Sequence, residues 1–216
     1  LYNTKLSGMF KGCSSLEIAN LAGLNLYNTS LSGLFNGCVE LKTVDISGNN
    51  FDGANLSKMF YGCAELTSVN ISGSVFNNNN ISSMFEGCAS LTNNSVNFAS
   101  VEFKNVTNMQ GLFKGCTSLT SIKIENLSIN STATSYNTVT KDMFYGCDNL
   151  KTIDFPAWSA NNRDQFVYMV SSAPAIETLK VPDWEIQNLN MASKAFTCMK
   201  KSTLKTVDMS NWDFKD

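Results

Sequence analysis

The chain has 216 residues, 43% of them apolar and 16% charged, with a formal net charge of -2 and no histidine. That length can bury a substantial core, while the sparse, balanced charge argues against a phosphate-backbone binder, which needs clustered Lys and Arg. The absence of His removes the commonest general base and the commonest metal ligand, and no run of 18 apolar residues exists to span a membrane.

In chain order, one five-residue pattern recurs. Met9-Phe10-Lys11-Gly12-Cys13 is followed by equivalents at Leu34 to Cys38, Met59 to Cys63, Met84 to Cys88, Leu112 to Cys116 and Met143 to Cys147, with successive Cys spaced by 25, 25, 25, 28 and 31 residues. A period in that range marks stacked supersecondary units, so length does not count domains here. A Leu stands three residues after each Cys: Leu16, Leu41, Leu66, Leu91, Leu119 and Leu150. Segments beginning at that Leu column alternate apolar and polar residues at their ends and predict strands: Leu41–Ile46, Leu66–Ile71, Leu119–Ile124, Leu150–Phe155, and later Ile176–Val181 and Leu204–Met209. A further apolar column follows at Leu26, Phe51, Phe76, Phe103, Ile129, Ile186 and Phe214. The residues before each motif Phe, such as Leu56, Met59 and Phe60, have the spacing of one helical face, and Gly62 reads as the helix stop.

The expectation is one solenoid domain over 1–216, of about eight units starting near residues 1, 26, 51, 76, 103, 129, 160 and 186. The fourth and sixth units carry extra residues between Leu91 and Val96 and across Asn130 to Thr140, both expected at the surface. The seventh and eighth units depart from the motif: Tyr168 to Ala173 replaces it in the seventh, and in the eighth Ala195-Phe196 keeps the Phe but Cys198 comes one residue early. Leu1 is not an initiator Met and the chain opens in mid-repeat, so preceding sequence is expected.

The columns resemble the BspA-like leucine-rich repeats of bacterial surface proteins and the related MF-x-G-C repeats of mycoplasmas. The Phe155-Pro156 and Val181-Pro182 strand ends match the I-x-I-P form of that repeat. The resemblance implies an α/β, right-handed leucine-rich-repeat-like solenoid, with a parallel β-sheet on one face and short helices on the other. It further implies a secreted or surface-displayed protein associated with adhesion and with host or protein binding, and it implies no catalytic residues.

The seven Cys invite a disulfide reading. Equivalent side chains on successive parallel units lie about 4.8 Å apart and point the same way, whereas a disulfide needs Cβ atoms about 3.8 Å apart. Buried, unpaired thiols acting as small apolar groups are therefore expected, and spacing of one Cys per unit suits no metal.

Beside the inward strand residues stand Thr43 and Asp45, Ser68 and Asn70, Asn97, Ser121 and Lys123, Thr152 and Asp154, Thr178 and Lys180, and Thr206 and Asp208. They should align as two tracks, either a plain solvated face or a binding face for a protein or glycan. Trp158, Trp184 and Trp212 each follow a strand's last apolar residue by three, and either pack in the turn or grip a ligand. The candidate partner-binding set is Thr152, Asp154, Trp158, Thr178, Lys180, Trp184, Thr206, Asp208 and Trp212. The expected function is non-catalytic recognition of a host or extracellular-matrix protein, or of a glycan, by a monomer without a cofactor. A structural spacer is the alternative, and an enzyme using Asp183, Glu185 or Asp213 is the least favoured reading.

Overall fold

The computed structural model describes residues 3–96, 98, 101, 103–124, 127–129, 139–155, 159–160, 173, 175–182, 185–187, 203–211 and 213–215. Within them the chain winds as a parallel β-solenoid with three ladders. The first ladder contains the predicted strands, each only three residues long. β1 (Ile18–Asn20), β2 (Thr43–Asp45) and β3 (Ser68–Asn70) form one sheet. After the second ladder begins with β4 (Phe76–Asn77) and β5 (Phe103–Val106), the first resumes as β6 (Ser121–Lys123). It continues through β8 (Thr152–Asp154), β10 (Thr178–Lys180) and β12 (Thr206–Asp208).

The second ladder arises where the sequence shows only an apolar column. β4 and β5 are joined there by β7 (Leu127–Ile129), β9 (Ser159–Ala160), β11 (Glu185–Gln187) and β13 (Asp213–Lys215) in one six-stranded sheet. Bridges Asn25↔Asn50 and Asn50↔Val75 run in the same direction ahead of it. The third ladder is a row of single bridges, Lys5↔Ser30, Ser30↔Asn55, Asn55↔Asn80 and Asn80↔Asn108.

The expected short helices are not formed among the described residues; the segments before each Phe are successive turns. Two causes are visible. The residue two before the Phe is left-handed in every repeat described: Gly8, Gly33, Lys58, Ser83, Gly111 and Asp142 have φ between 52° and 64°. An α-helix requires negative φ throughout. Moreover, the backbone donors are spent elsewhere. Leu56, Lys58, Phe60 and Gly62 donate their N–H groups to Asn80, Ser82, Met84 and Glu86 of the next coil, at 2.8–3.0 Å. The alternate donors of Met59, Tyr61 and Cys63 close tight turns onto Leu56, Lys58 and Phe60. The helix-like spacing of Leu56, Met59 and Phe60 nonetheless marks the inward face correctly, since all three are fully buried.

The core is one continuous cluster. Phe10, Phe35, Phe60, Phe85, Phe113 and Phe144 stack from coil to coil with ring centroids 5.4–5.8 Å apart and interplanar angles of 3–17°. A second stack, Phe51, Phe76 and Phe103, follows the second ladder at 5.1 and 4.8 Å. Leu41, Leu66, Leu91, Leu119 and Leu150 are buried as the Leu column requires. Glycine is needed in the motif for its conformation: Gly87 has φ of 77°, in the left-handed region that L side chains rarely adopt.

The insertions divide the first ladder. Thr92, Asn93 and Asn94 bulge into solvent as expected, but Ser95, Val96 and Phe98 turn inward and are buried. Phe98 meets the stacked rings of Phe85 and Phe113 edge-on, at 6.3 and 5.7 Å. Among the described residues the bridge Val69↔Val96 alone extends from β3 at this point, and the first ladder divides into sheets of three and four strands. Of the second insertion, Val139 and Thr140 are buried rather than exposed, and 130–138 lie outside the described residues.

Candidate interaction surface

The four-stranded sheet β6-β8-β10-β12 gathers six of the nine candidate residues. Parallel pairing sets Ser121, Thr152, Thr178 and Thr206 in one register column and Lys123, Asp154, Lys180 and Asp208 in another. The central residues Ile122, Ile153 and Leu179 are buried, so the flanking columns face outward, as period-two alternation demands. Trp158, Trp184 and Trp212 lie outside the described residues, as do Asn97, Asp183, residues 168–172 of the seventh motif segment and the eighth motif segment.

The second column changes sign at every step: Lys123, Asp154, Lys180, Asp208. A third charged column, one residue ahead of the strands, was not singled out in the sequence. Glu177 lies 3.4 Å from Lys151 and 2.7 Å from Lys205, bridging the coils on either side. The hydrogen bond and charge of Lys205 hold the Glu177 carboxyl below its usual range, with Lys151 adding to the effect. The same alternation occurs earlier, where Lys42 and Glu17 pair at 3.2 Å. The signal was present as opposite charges one repeat apart just ahead of β1 and β2 and again ahead of β8, β10 and β12.

The outward columns also have local duties. Asp45 accepts from the Ser47 N–H at 2.9 Å and hydroxyl at 2.6 Å, and Asn70 accepts likewise from Ser72. Asp208 repeats this with Ser210 at 3.0 and 2.8 Å. Those two bonds, with a smaller contribution from Lys180, keep its carboxyl below the ordinary range. These are Asx turns that lead the chain out of the strand. Asp154 and Lys180 are followed two residues later by Pro156 and Pro182. Proline has no N–H, so Asp154 cannot accept one to form such a turn, and the Lys ammonium, a donor only, has no part in it whatever residue follows. The face therefore contains one carboxylate engaged in a turn, Asp208, and one exempt from it, Asp154. The Asn-x-Ser triplets at Asn55 and Asn80 have a similar structural origin: each Asn oxygen accepts from the Ser N–H two residues on, at 3.0 Å, beside the third ladder.

The thiols lie on the inner side. Cys38, Cys63, Cys88, Cys116 and Cys147 are buried and Cys13 is exposed; all six are free. Each buried thiol donates back to the carbonyl of the motif Phe one coil earlier, at 3.0–3.2 Å, from Cys38 to Phe10 through Cys147 to Phe113. Burial raises their pKa, to about 12 for Cys63 and Cys147. These are poor nucleophiles and poor metal ligands. Among the described residues no group of three or more His, Cys, Asp or Glu is placed to hold a metal ion, and no helix is long and apolar enough to cross a membrane. An internal cavity beside Phe98 is lined by apolar side chains alone, including Ile71, Phe76, Met84 and Phe85.

Stacked coils, an aromatic spine and an outward polar sheet define a leucine-rich-repeat type of solenoid. Residues 4–127 match the family described as "Mycoplasma protein of unknown function, DUF285", and residues 109–212 match the "BspA type Leucine rich repeat region" in six copies. The chain belongs to this family of BspA-like repeat proteins. No curated protein matches it.

Proposed function

We propose that this chain is a non-catalytic recognition module, displayed at a cell surface or secreted, that binds a protein or glycan through the face of β6-β8-β10-β12. The observation that supports this reading most is the register of that face. Four strands hold Ser/Thr and alternating Lys/Asp side chains in columns about 4.8 Å apart, on a scaffold whose apolar core is built without them. Such a preformed surface binds without an ordering cost. The charges balance along the columns, which favours a mixed polar partner over a polyanion. Trp158, Trp184 and Trp212, each three residues after a strand's last apolar residue in the sequence, extend the proposal.

The test is combined alanine replacement of Thr152, Asp154, Thr178 and Lys180, followed by binding to immobilised matrix proteins and a glycan panel. The expected result is loss of binding with the thermal midpoint little changed. Undiminished binding would move the site off this face. If the parent protein binds nothing in the panel, the spacer reading gains, with the rigid stack holding another domain away from its anchor.

A further inference from the structure

We infer that the partner of this sheet face is a second copy of the same chain, docked across a twofold axis parallel to the strands. The inference rests on the binding role proposed for the face and names its occupant. The charge order along the columns carries it. An axis lying between β8 and β10 keeps each column opposite itself and reverses the order of the strands. Lys123 of one copy then faces Asp208 of the other, and Asp154 faces Lys180. In the neighbouring column Lys151 faces Glu177, while Thr152 faces Thr178 between them.

Every charge in these pairs meets its opposite, and no like charges coincide. That result is not automatic. A column with the order Lys-Lys-Asp-Asp would also match itself, but Lys-Asp-Asp-Lys would set Lys against Lys and Asp against Asp. The third column adds Lys205 opposite the neutral Thr120, again without conflict. The column of short Ser and Thr side chains between the charged columns, Ser121, Thr152, Thr178 and Thr206, leaves room for the close approach that such pairing needs. Asp154, which faces Lys180 of the other copy at the axis, is the carboxylate that the following proline exempts from turn formation. The patch is small, so the contact is weak and transient in solution and becomes effective when copies are arrayed on opposing surfaces.

The experiment measures self-association by sedimentation velocity over a range of protein concentrations, at about 0.01 M and about 1 M salt, where the Debye length falls from about 30 Å to about 3 Å. The expected result is concentration-dependent dimers at low salt that dissociate at high salt. Asp154→Lys places Lys against Lys at the axis, and Lys180→Asp places Asp against Asp. Each variant alone is expected to lose at least about tenfold in dimer affinity. An equimolar mixture of the two is expected to recover it as a heterodimer, and the double exchange D154K/K180D is expected to recover it as a homodimer. These sites are at the surface, so the variants should fold, and unchanged circular dichroism verifies this.

A parent chain that stays monomeric at low salt overturns the inference. So do single variants that dimerise like the parent, or a mixture that fails to recover. The binding proposal is judged separately on the matrix-protein and glycan panel. A monomeric parent whose alanine variant loses panel binding would retain that proposal and remove this one.

Discussion

The thiol of Cys88 donates to the carbonyl of Phe60 at 3.1 Å, and that same oxygen also accepts the N–H of Cys63 at 3.1 Å. One acceptor thus joins a turn within its own coil to the coil that follows. The motif Cys is a structural clasp between repeats, which explains why it recurs with the Phe and Gly. Cys88→Ala removes a buried sulfur and its weak hydrogen bond and should cost about 1–2 kcal/mol, whereas Cys13→Ala, at an exposed position, should stay within about 0.5 kcal/mol. Urea midpoints of the two variants against the parent provide the check. Equal effects would refute the clasp.

Thiol accessibility gives a second outcome. Of the six described thiols, Cys13 alone should react with an aromatic disulfide reagent in the native protein, and the five buried ones should follow only on unfolding. The pH dependence has a definite sign. Cys63 is raised from 9.0 to about 12 in the folded chain, chiefly by burial. Its stabilising contribution is therefore fully present below pH 9.0, and it is lost as the pH climbs toward about 12, because the unfolded thiol ionises first. The parent should lose stability more steeply over that interval than Cys63→Ala. Parallel slopes would show that the buried thiol does not hold its proton.

Lys58 separates a turn from a helix. Its φ is 56°, a conformation costly for a side-chain-bearing residue, and the equivalent positions Gly8, Gly33 and Gly111 already hold glycine. Lys58→Gly should therefore raise stability by about 0.5–1 kcal/mol. In a helix interior the same change would lower it by about 1 kcal/mol. A calorimetric comparison decides between the two signs.

Phe60 is fully buried between Phe35 at 5.8 Å and Phe85 at 5.6 Å. Phe60→Ala should cost about 3–5 kcal/mol, through lost burial and a cavity that the rigid neighbours cannot close. Because stacked coils depend on their neighbours, hydrogen exchange should accelerate in the adjacent coils as well. A loss below about 1 kcal/mol would place the Phe column outside the core.

The candidate face was partly legible. The register of Thr152, Thr178 and Thr206, and of Asp154, Lys180 and Asp208, follows from the repeat period alone, since a parallel ladder keeps equivalent residues side by side. The paired column of Lys151, Glu177 and Lys205 was overlooked because these residues precede the alternating segment and carry no periodic apolar signal. Asp208 was grouped with Asp154, although the Ser at 210 and the Pro at 156 already distinguished them as turn former and non-former.

By itself, the sequence determined which residues point inward. Apolar periodicity and a fixed repeat length demand burial of the Phe, Leu and Cys columns whatever backbone links them, and all three are buried where the motif repeats from Leu34 to Leu150. Tertiary structure decided what that backbone does. A short segment with apolar residues such as Leu56, Met59 and Phe60 on one side fits a helical turn or a bent extended path equally well. The choice was made by the next coil, whose carbonyls at Asn80, Ser82, Met84 and Glu86 take the N–H groups that a helix would have kept for itself. The same competition for donors turned the apolar column at Phe76 and Phe103 into a second sheet, because parallel neighbours at matching height satisfy an extended backbone that no local bond could.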